Sequence, residues 1–199
     1  MKTILITILM LASSAFLTGE QLNIGDKAPK SDLKMTGTDG TETTLSELAK
    51  SGGICVIFSC NTCPYVVAWE DRYNELEELC NQYQVGFVLV NSNEAKRDGA
   101  DSMAEMIEHA KEKTYNNFAY VEDTNHVLAD AFGATKTPDV FLFDSNMTLV
   151  YKGAIDDDMK DKSNVKEAYL KNALTSMVSG EKIDPATTKA IGCSIKRKS

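Results

Sequence analysis

The feature that most constrains this chain is Cys60-Asn61-Thr62-Cys63-Pro64, placed where a continuous apolar run over residues 54–58 gives way to a helical pattern. An apolar run of that length, bounded by polar residues, reads as a buried strand. Beyond it Val66, Trp69, Tyr73, Leu76, Cys80 and Tyr83 recur at alternating steps of three and four, the spacing of one buried helix face. Pro64 fits the first turn of that helix, where an N–H has no intrahelical partner to lose. Two cysteines at this junction share one turn, and the first lies among unpaired backbone N–H groups near the positive end of the helix dipole. That setting favours the thiolate, the form that attacks disulfides. The spacing therefore predicts a redox pair in which Cys60 is the exposed attacking sulfur and Cys63, one turn into the helix, the more buried resolving sulfur. Two other readings compete. A structural disulfide across so short a loop would stabilise little. Half of a zinc site would need a second Cys-X-X-Cys, which is absent, and His109 and His126 lack ligand spacing.

The surrounding sequence alternates strand and helix signals. Residues 23–48 are turn-rich, with Gly37 and Gly40, and suggest an extended segment or hairpin before the core. Residues 85–90 form a second apolar strand run, and Asp101 or Ser102 with Glu105 marks the start of a helix carrying Met106 and Ala110. A short strand over 118–121 and a brief helix closed by Gly133 follow. Two strands over 140–143 and 149–151 are joined by Asp144-Ser145-Asn146, and a last helix is capped by Asn164 with Glu167 and ended by Gly180. This order predicts an α/β fold with a mixed central sheet covered by helices on both faces.

At 199 residues with 43% hydrophobic content, the chain suits one domain with a substantial core. Residues 1–19 stand apart: Lys2, an apolar stretch over 4–17, then small residues, the form of a secretory signal peptide. The apolar stretch is short against the roughly 20 residues of a spanning helix, so a membrane contact would arise only through an uncleaved leader. The mature domain, residues 20–199, is thus expected outside the cytoplasm, periplasmic or extracellular, where disulfides persist. Residues 181–199 carry little pattern and read as a tail of unassigned packing. A net charge of −8, with Lys196-Arg197-Lys198 as the one basic run, argues against nucleic acid as a partner. Of the five cysteines, Cys55 and Cys80 fall on buried stripes and read as small core residues.

Thr137-Pro138, just before the strand at 140–143, is a weak signal alone and an informative one beside a strand–Cys-X-X-Cys–helix unit. With it the chain resembles thioredoxin-fold proteins, and more closely the peroxiredoxin-like, AhpC/TSA-type branch of the redoxin family. The matching segments are Gly25-Asp26-Lys27-Ala28-Pro29, residues 60–65, Asn91-Ser92-Asn93, Ala131-Phe132-Gly133-Ala134 and Thr137-Pro138-Asp139. Val150-Tyr151-Lys152-Gly153, Ile155-Asp156-Asp157 and Ile191-Gly192-Cys193-Ser194-Ile195-Lys196 extend the match to the C-terminus. The resemblance implies a thioredoxin-like fold, Cys60 and Cys63 as the redox pair, and Thr137 with a cis Pro138 shaping the groove for a partner's backbone. Cys193, in a matching tail segment, reads either as packed against the domain or as a third redox thiol.

The sequence also departs from its relatives. Peroxiredoxins carry Pro-X-X-X-Thr-X-X-Cys; counting back from Cys60 those positions are Gly53 and Ile57, and from Cys63 they are Val56 and Cys60. The aspartate that thioredoxin buries six positions before its first active cysteine is here Ile54, with Glu70, Asp156 and Asp157 as candidate substitutes. Lys136 is a candidate for stabilising a thiolate, and Tyr65 and Trp69 for rimming the groove. The expected activity is thiol–disulfide exchange with protein thiols or disulfides, without a bound cofactor or metal. The alternatives are a hydroperoxide reductase with Cys60 as the peroxidatic cysteine, and a non-catalytic binding module that keeps the fold.

Overall fold

Alternation along one central strand organises the molecule. The computed structural model describes residues 21–198, so the leader segment read at 1–19 lies outside the described residues. The chain runs through β1 (Met35–Gly37), β2 (Glu42–Thr43), α1 (Leu45–Leu48), β3 (Gly53–Ser59), α2 (Pro64–Trp69), α3 (Tyr73–Gln82) and β4 (Val85–Asn91). It continues through α4 (Met103–Glu112), β5 (Ala119–Glu122), α5 (Val127–Phe132), β6 (Lys136–Thr137), β7 (Asp139–Phe143), β8 (Leu149–Gly153), α6 (Tyr169–Ser179) and β9 (Cys193–Ser194).

Strand β3 is buried at every position because both its edges and both its faces are covered. It pairs in parallel with β4 and antiparallel with β7, at the centre of a sheet ordered β2-β1-β5-β4-β3-β7-β8. Ile54, Val56 and Phe58 point to one face, where Leu128 and Phe132 of α5 and Leu45 of α1 cover them. Cys55 and Ile57 point to the other, under Val66, Tyr73, Met106 and Leu174 from α2, α3, α4 and α6. This is the thioredoxin-like mixed sheet with helices on both faces, preceded by the β1–β2 hairpin.

Two expectations need correction, and one segment left unassigned gains a place. The helix read as continuous after the cysteine pair breaks into α2, a 3₁₀ turn (Glu70–Arg72) and α3. Trp69, Glu70, Arg72 and Tyr73 are all buried, more than one helical face can hold, and polar partners draw them inward: Trp69 Nε1 donates to Asp156 Oδ1 at 2.6 Å and Glu70 meets His109 at 2.9 Å. Asn164 does not cap the last helix. Asp161 caps a separate 3₁₀ turn (Lys162–Asn164), and α6 begins at Tyr169 without a side-chain cap. The C-terminal tail is packed: β9 pairs with β6 as a second, two-stranded sheet, and Ile195 is buried against the α5 side.

Phe132 stands edge-on to Phe58, Phe141 and Phe143, at centroid distances of 5.5, 5.2 and 5.5 Å. Phe132→Ala is expected to lower the unfolding free energy by about 3–5 kcal/mol in urea titrations. Val178→Ala, at a position 46% exposed on α6, should change it by less than about 0.5 kcal/mol.

Candidate functional site: a cysteine pair facing Thr137

Strand register brings the site together. Phe58 of β3 pairs with Asp139 of β7. In an antiparallel pair the next steps forward on one strand face steps backward on the other, so the chain leaving β3 toward Cys60 runs alongside the chain arriving through Thr137. Cys60 Sγ lies 3.5 Å from Thr137 Oγ1, and Cys63 Sγ lies 3.2 Å from the Thr137 carbonyl oxygen. The Thr137–Pro138 peptide bond is cis. Pro64 is the first helical residue of α2, as expected, whereas Cys63, expected one turn into the helix, is its capping residue just outside it. All five cysteines are free thiols.

The expected order of exposure is not observed. Cys60 is 2% exposed and Cys63 5%, so neither faces water. The cover is the C-terminal segment: a Cβ on Gly192 would fall 2.2 Å from the Thr137 carbonyl oxygen, and Cys193 sits in register with Thr137 across the β6–β9 ribbon. Cys193 packs against the cluster that holds both Cys60 and Cys63. Three sulfurs thus converge at Thr137, not two.

The pair shares a proton unequally. The neighbouring Cys63 sulfur, burial and the charge of Asp101 push the Cys60 thiol up. Cys63 is pulled down by its neighbours, the Cys60 and Cys193 sulfurs, the Val66 N–H and the Thr137 hydroxyl. The Thr137 carbonyl is the acceptor a protonated Cys63 would use, and these neighbours outweigh it. Of the two sulfurs, the surroundings thus favour the thiolate at Cys63 over Cys60.

A buried polar network that the sequence reading missed holds the loop between the cysteines. Asp101 Oδ1 accepts from the Asn61 backbone N–H and from Asn91 Nδ2, both at 2.9 Å, and its Oδ2 accepts from Asn93 Nδ2 at 3.0 Å. Tyr120 donates to Asn61 Oδ1 at 2.7 Å. Asn93 Oδ1 in turn accepts the Lys196 N–H at 2.8 Å, which ties the tail to the same network. The available signal was the polar run Asn91-Ser92-Asn93 ending an apolar strand, where strand ends converge on a site. Asp101 is fully buried here, while Ser102 takes the helix-capping role.

The candidate substitutes for thioredoxin's buried acid lie elsewhere. Glu70 pairs with Lys113 at 2.7 Å as well as with His109, Asp156 holds Arg72 at 2.7 Å, and Asp157 accepts the backbone N–H groups of Lys166 and Glu167. Lys136 acts on the Asp139 carboxyl and Trp69 is buried in the core. Tyr65 is half-buried and, like Cys193, packs against the cluster that holds both active-site sulfurs. Cys55 and Cys80 touch one another in the core, fully buried, where desolvation pushes the Cys55 thiol up.

A family model described as Redoxin matches residues 23–169. Among curated proteins no match is found. A solved structure of an uncharacterized conserved protein from Geobacillus kaustophilus is 30% identical, over 88% of this chain and 93% of its own, with a TM-score of 0.80. A hypothetical protein from Sinorhizobium meliloti is 28% identical, over 90% and 97% of the two chains, with a TM-score of 0.81. Peroxidoxin BcpB from Mycobacterium tuberculosis shares the fold at 14% identity, over 80% and 98% of the two chains, with a TM-score of 0.60.

Asp139, next to Pro138, gives the site a pH signature. Its Oδ2 accepts the Thr135 N–H at 3.3 Å, its Oδ1 has no partner, and burial pushes the carboxyl up to about 7. The native state therefore holds a proton that the unfolded chain releases near pH 4. Stability is greatest below about pH 4 as far as this group is concerned, falls as pH rises, and levels off above about pH 7. In Asp139→Asn that decline should vanish, raising stability at pH 8 relative to pH 4.5 by about 3 kcal/mol over the parent chain. Urea midpoints at the two pH values measure it.

Proposed function

Because the chain belongs to the Redoxin family, a family of thiol-based oxidoreductases, we propose that it exchanges dithiols and disulfides with protein partners through Cys60 and Cys63. The observation that carries this reading is the meeting of both sulfurs at Thr137, beside a cis proline and at the end of the central strand. In the reducing direction, the thiolate of the pair attacks one sulfur of the partner's disulfide. A mixed disulfide forms and the partner's other sulfur leaves as thiolate, taking a proton. The second cysteine then loses its proton and attacks the mixed disulfide. The Cys60–Cys63 bond forms, the partner's remaining sulfur leaves, and two electrons and two protons have passed to the partner. Oxidation of a partner is the same sequence reversed.

The polar surroundings support exchange over direct peroxide reduction. A peroxide O–O bond breaking at sulfur develops charge that hydroxyl and cationic donors must meet. Neither threonine-bearing register exists in the sequence, and the three arginines are engaged away from the sulfurs. Arg72 lies on Asp156, Arg97 donates to the carbonyls of Asn91 and Asp101, and Arg197 holds Asp130. Work outside the cytoplasm is part of the proposal and rests on the sequence of residues 1–19.

The reading is tested by assaying insulin-disulfide reduction and hydroperoxide consumption on the same preparation. Insulin reduction is expected, with a loss of about 100-fold or more in Cys60→Ser and in Cys63→Ser. Fast peroxide turnover that depends on Cys60 alone would establish the peroxidase instead, and inert cysteines in both assays would establish a binding module.

A further inference from the structure

The exchange reading leaves one element unexplained: a C-terminal strand lies across the groove that a partner would have to enter. An extended segment that pairs with an exposed strand edge is bound through its backbone, with side chains supplying selectivity. Strand β9 does this to β6. Lys136 pairs with Ser194 and Thr137 with Cys193, the Ile195 N–H donates to the Thr135 carbonyl at 3.1 Å, and Gly192 is pressed against the Thr137–Pro138 peptide. The segment is anchored beyond the groove. Ile195 is buried, Lys196 bonds Asn93, and Arg197 reaches Asp130 and the Ala134 carbonyl, both at 2.7 Å. On the near side Ile191 is 49% exposed, so the strand is held from its C-terminal end.

Resting on the exchange reading, we propose that Cys193 is a third exchanging thiol, presented to Cys63 by a strand that occupies the groove as an internal substrate. The step is a balanced interchange and needs no outside oxidant. Starting from the Cys60–Cys63 disulfide, Cys193 loses its proton and attacks Cys63 Sγ. The Cys63–Cys193 bond forms, the Cys60–Cys63 bond breaks, and Cys60 leaves and takes up a proton. Cys60 is suited to ending as a thiol, since it is the most buried of the three sulfurs and lies beside Asp101. The internal strand also names the class of external substrate: an extended, cysteine-bearing segment with a small residue where Gly192 meets Thr137, since a Cβ there has no room. Such a segment must displace the tail before it can exchange.

Disulfide mapping tests the thiol. The full chain is oxidised with one equivalent of diamide, quenched in acid, alkylated and digested with trypsin. Cys60 and Cys63 share one peptide, whereas Cys193 lies between Lys189 and Lys196 on another. The expected products are the Cys60–Cys63 loop and a linked peptide pair joining Cys63 to Cys193 with Cys60 alkylated, the second being lost in Cys193→Ser. The loop without the linked pair would overturn the proposal and leave the exchange reading standing; neither product would remove the exchange reading itself. Gly192→Ala tests the occupancy, because its Cβ must push the strand off Thr137. Insulin reduction should rise several-fold with the thermal midpoint of the domain little changed. An unchanged or slower rate in a folded variant would overturn the internal-substrate role. If that variant does not fold, Cys193→Ser takes its place in the same assay: a faster rate, from loss of competition by the tail thiol, supports the role, and an unchanged or slower one overturns it.

Discussion

The pairing of β3 with β7 is the constraint on which the site depends. Its register, Phe58 against Asp139, delivers Cys60 to Thr137, and α2 then folds Cys63 back onto the same residue. Side chains along a strand alternate between faces, so a slip of one residue would turn Ile54, Val56 and Phe58 away from the Phe132 cluster. The apolar contacts that stabilise the fold and the approach of the sulfurs to Thr137 are therefore set by the same alignment. Changing one without the other is not geometrically available.

Around this alignment the protein places polar groups where burial makes them costly unless partnered. Asp101 accepts three hydrogen bonds and fixes Asn61, Asn91 and Asn93 at once. A buried carboxylate satisfied in this way is rigid, and the loop between the cysteines inherits that rigidity. Its charge also bears on chemistry: it disfavours a thiolate at Cys60, whereas the neighbours of Cys63 pull that thiol down. The helix dipole argument, applied to the sequence, assigned the thiolate to the first cysteine. In the closed structure the local donors and the neighbouring acid outweigh it, because such contacts act at shorter range than a dipole end.

The tail changes the meaning of the site. Strand β9 occupies the edge of β6 beside which both active-site sulfurs lie. Thr137 has a paired strand, and Cys193 packs against the cluster that holds both sulfurs. The Asn93 side chain serves both the loop and the tail, donating to Asp101 and accepting from Lys196, so opening one side is felt by the other.

Much of this was legible from residue order. The apolar run at 54–58, the Cys-X-X-Cys-Pro junction, Gly133 and Gly180 as helix ends and Thr137-Pro138 before a strand are local signals, because strand burial, helix starts and helix stops are decided by neighbours in sequence. The break between α2 and α3, the burial of both active-site sulfurs and the docking of Cys193 were not. Each depends on a partner from a distant part of the chain: Asp156 for Trp69, Asp101 for Asn61, Thr137 for Cys193. The sequence alone determined that two cysteines bracket the junction between a buried strand and a helix. Only the tertiary structure decided what covers them and which one holds the charge, since solvent access and electrostatic environment belong to contacts that residue order does not contain.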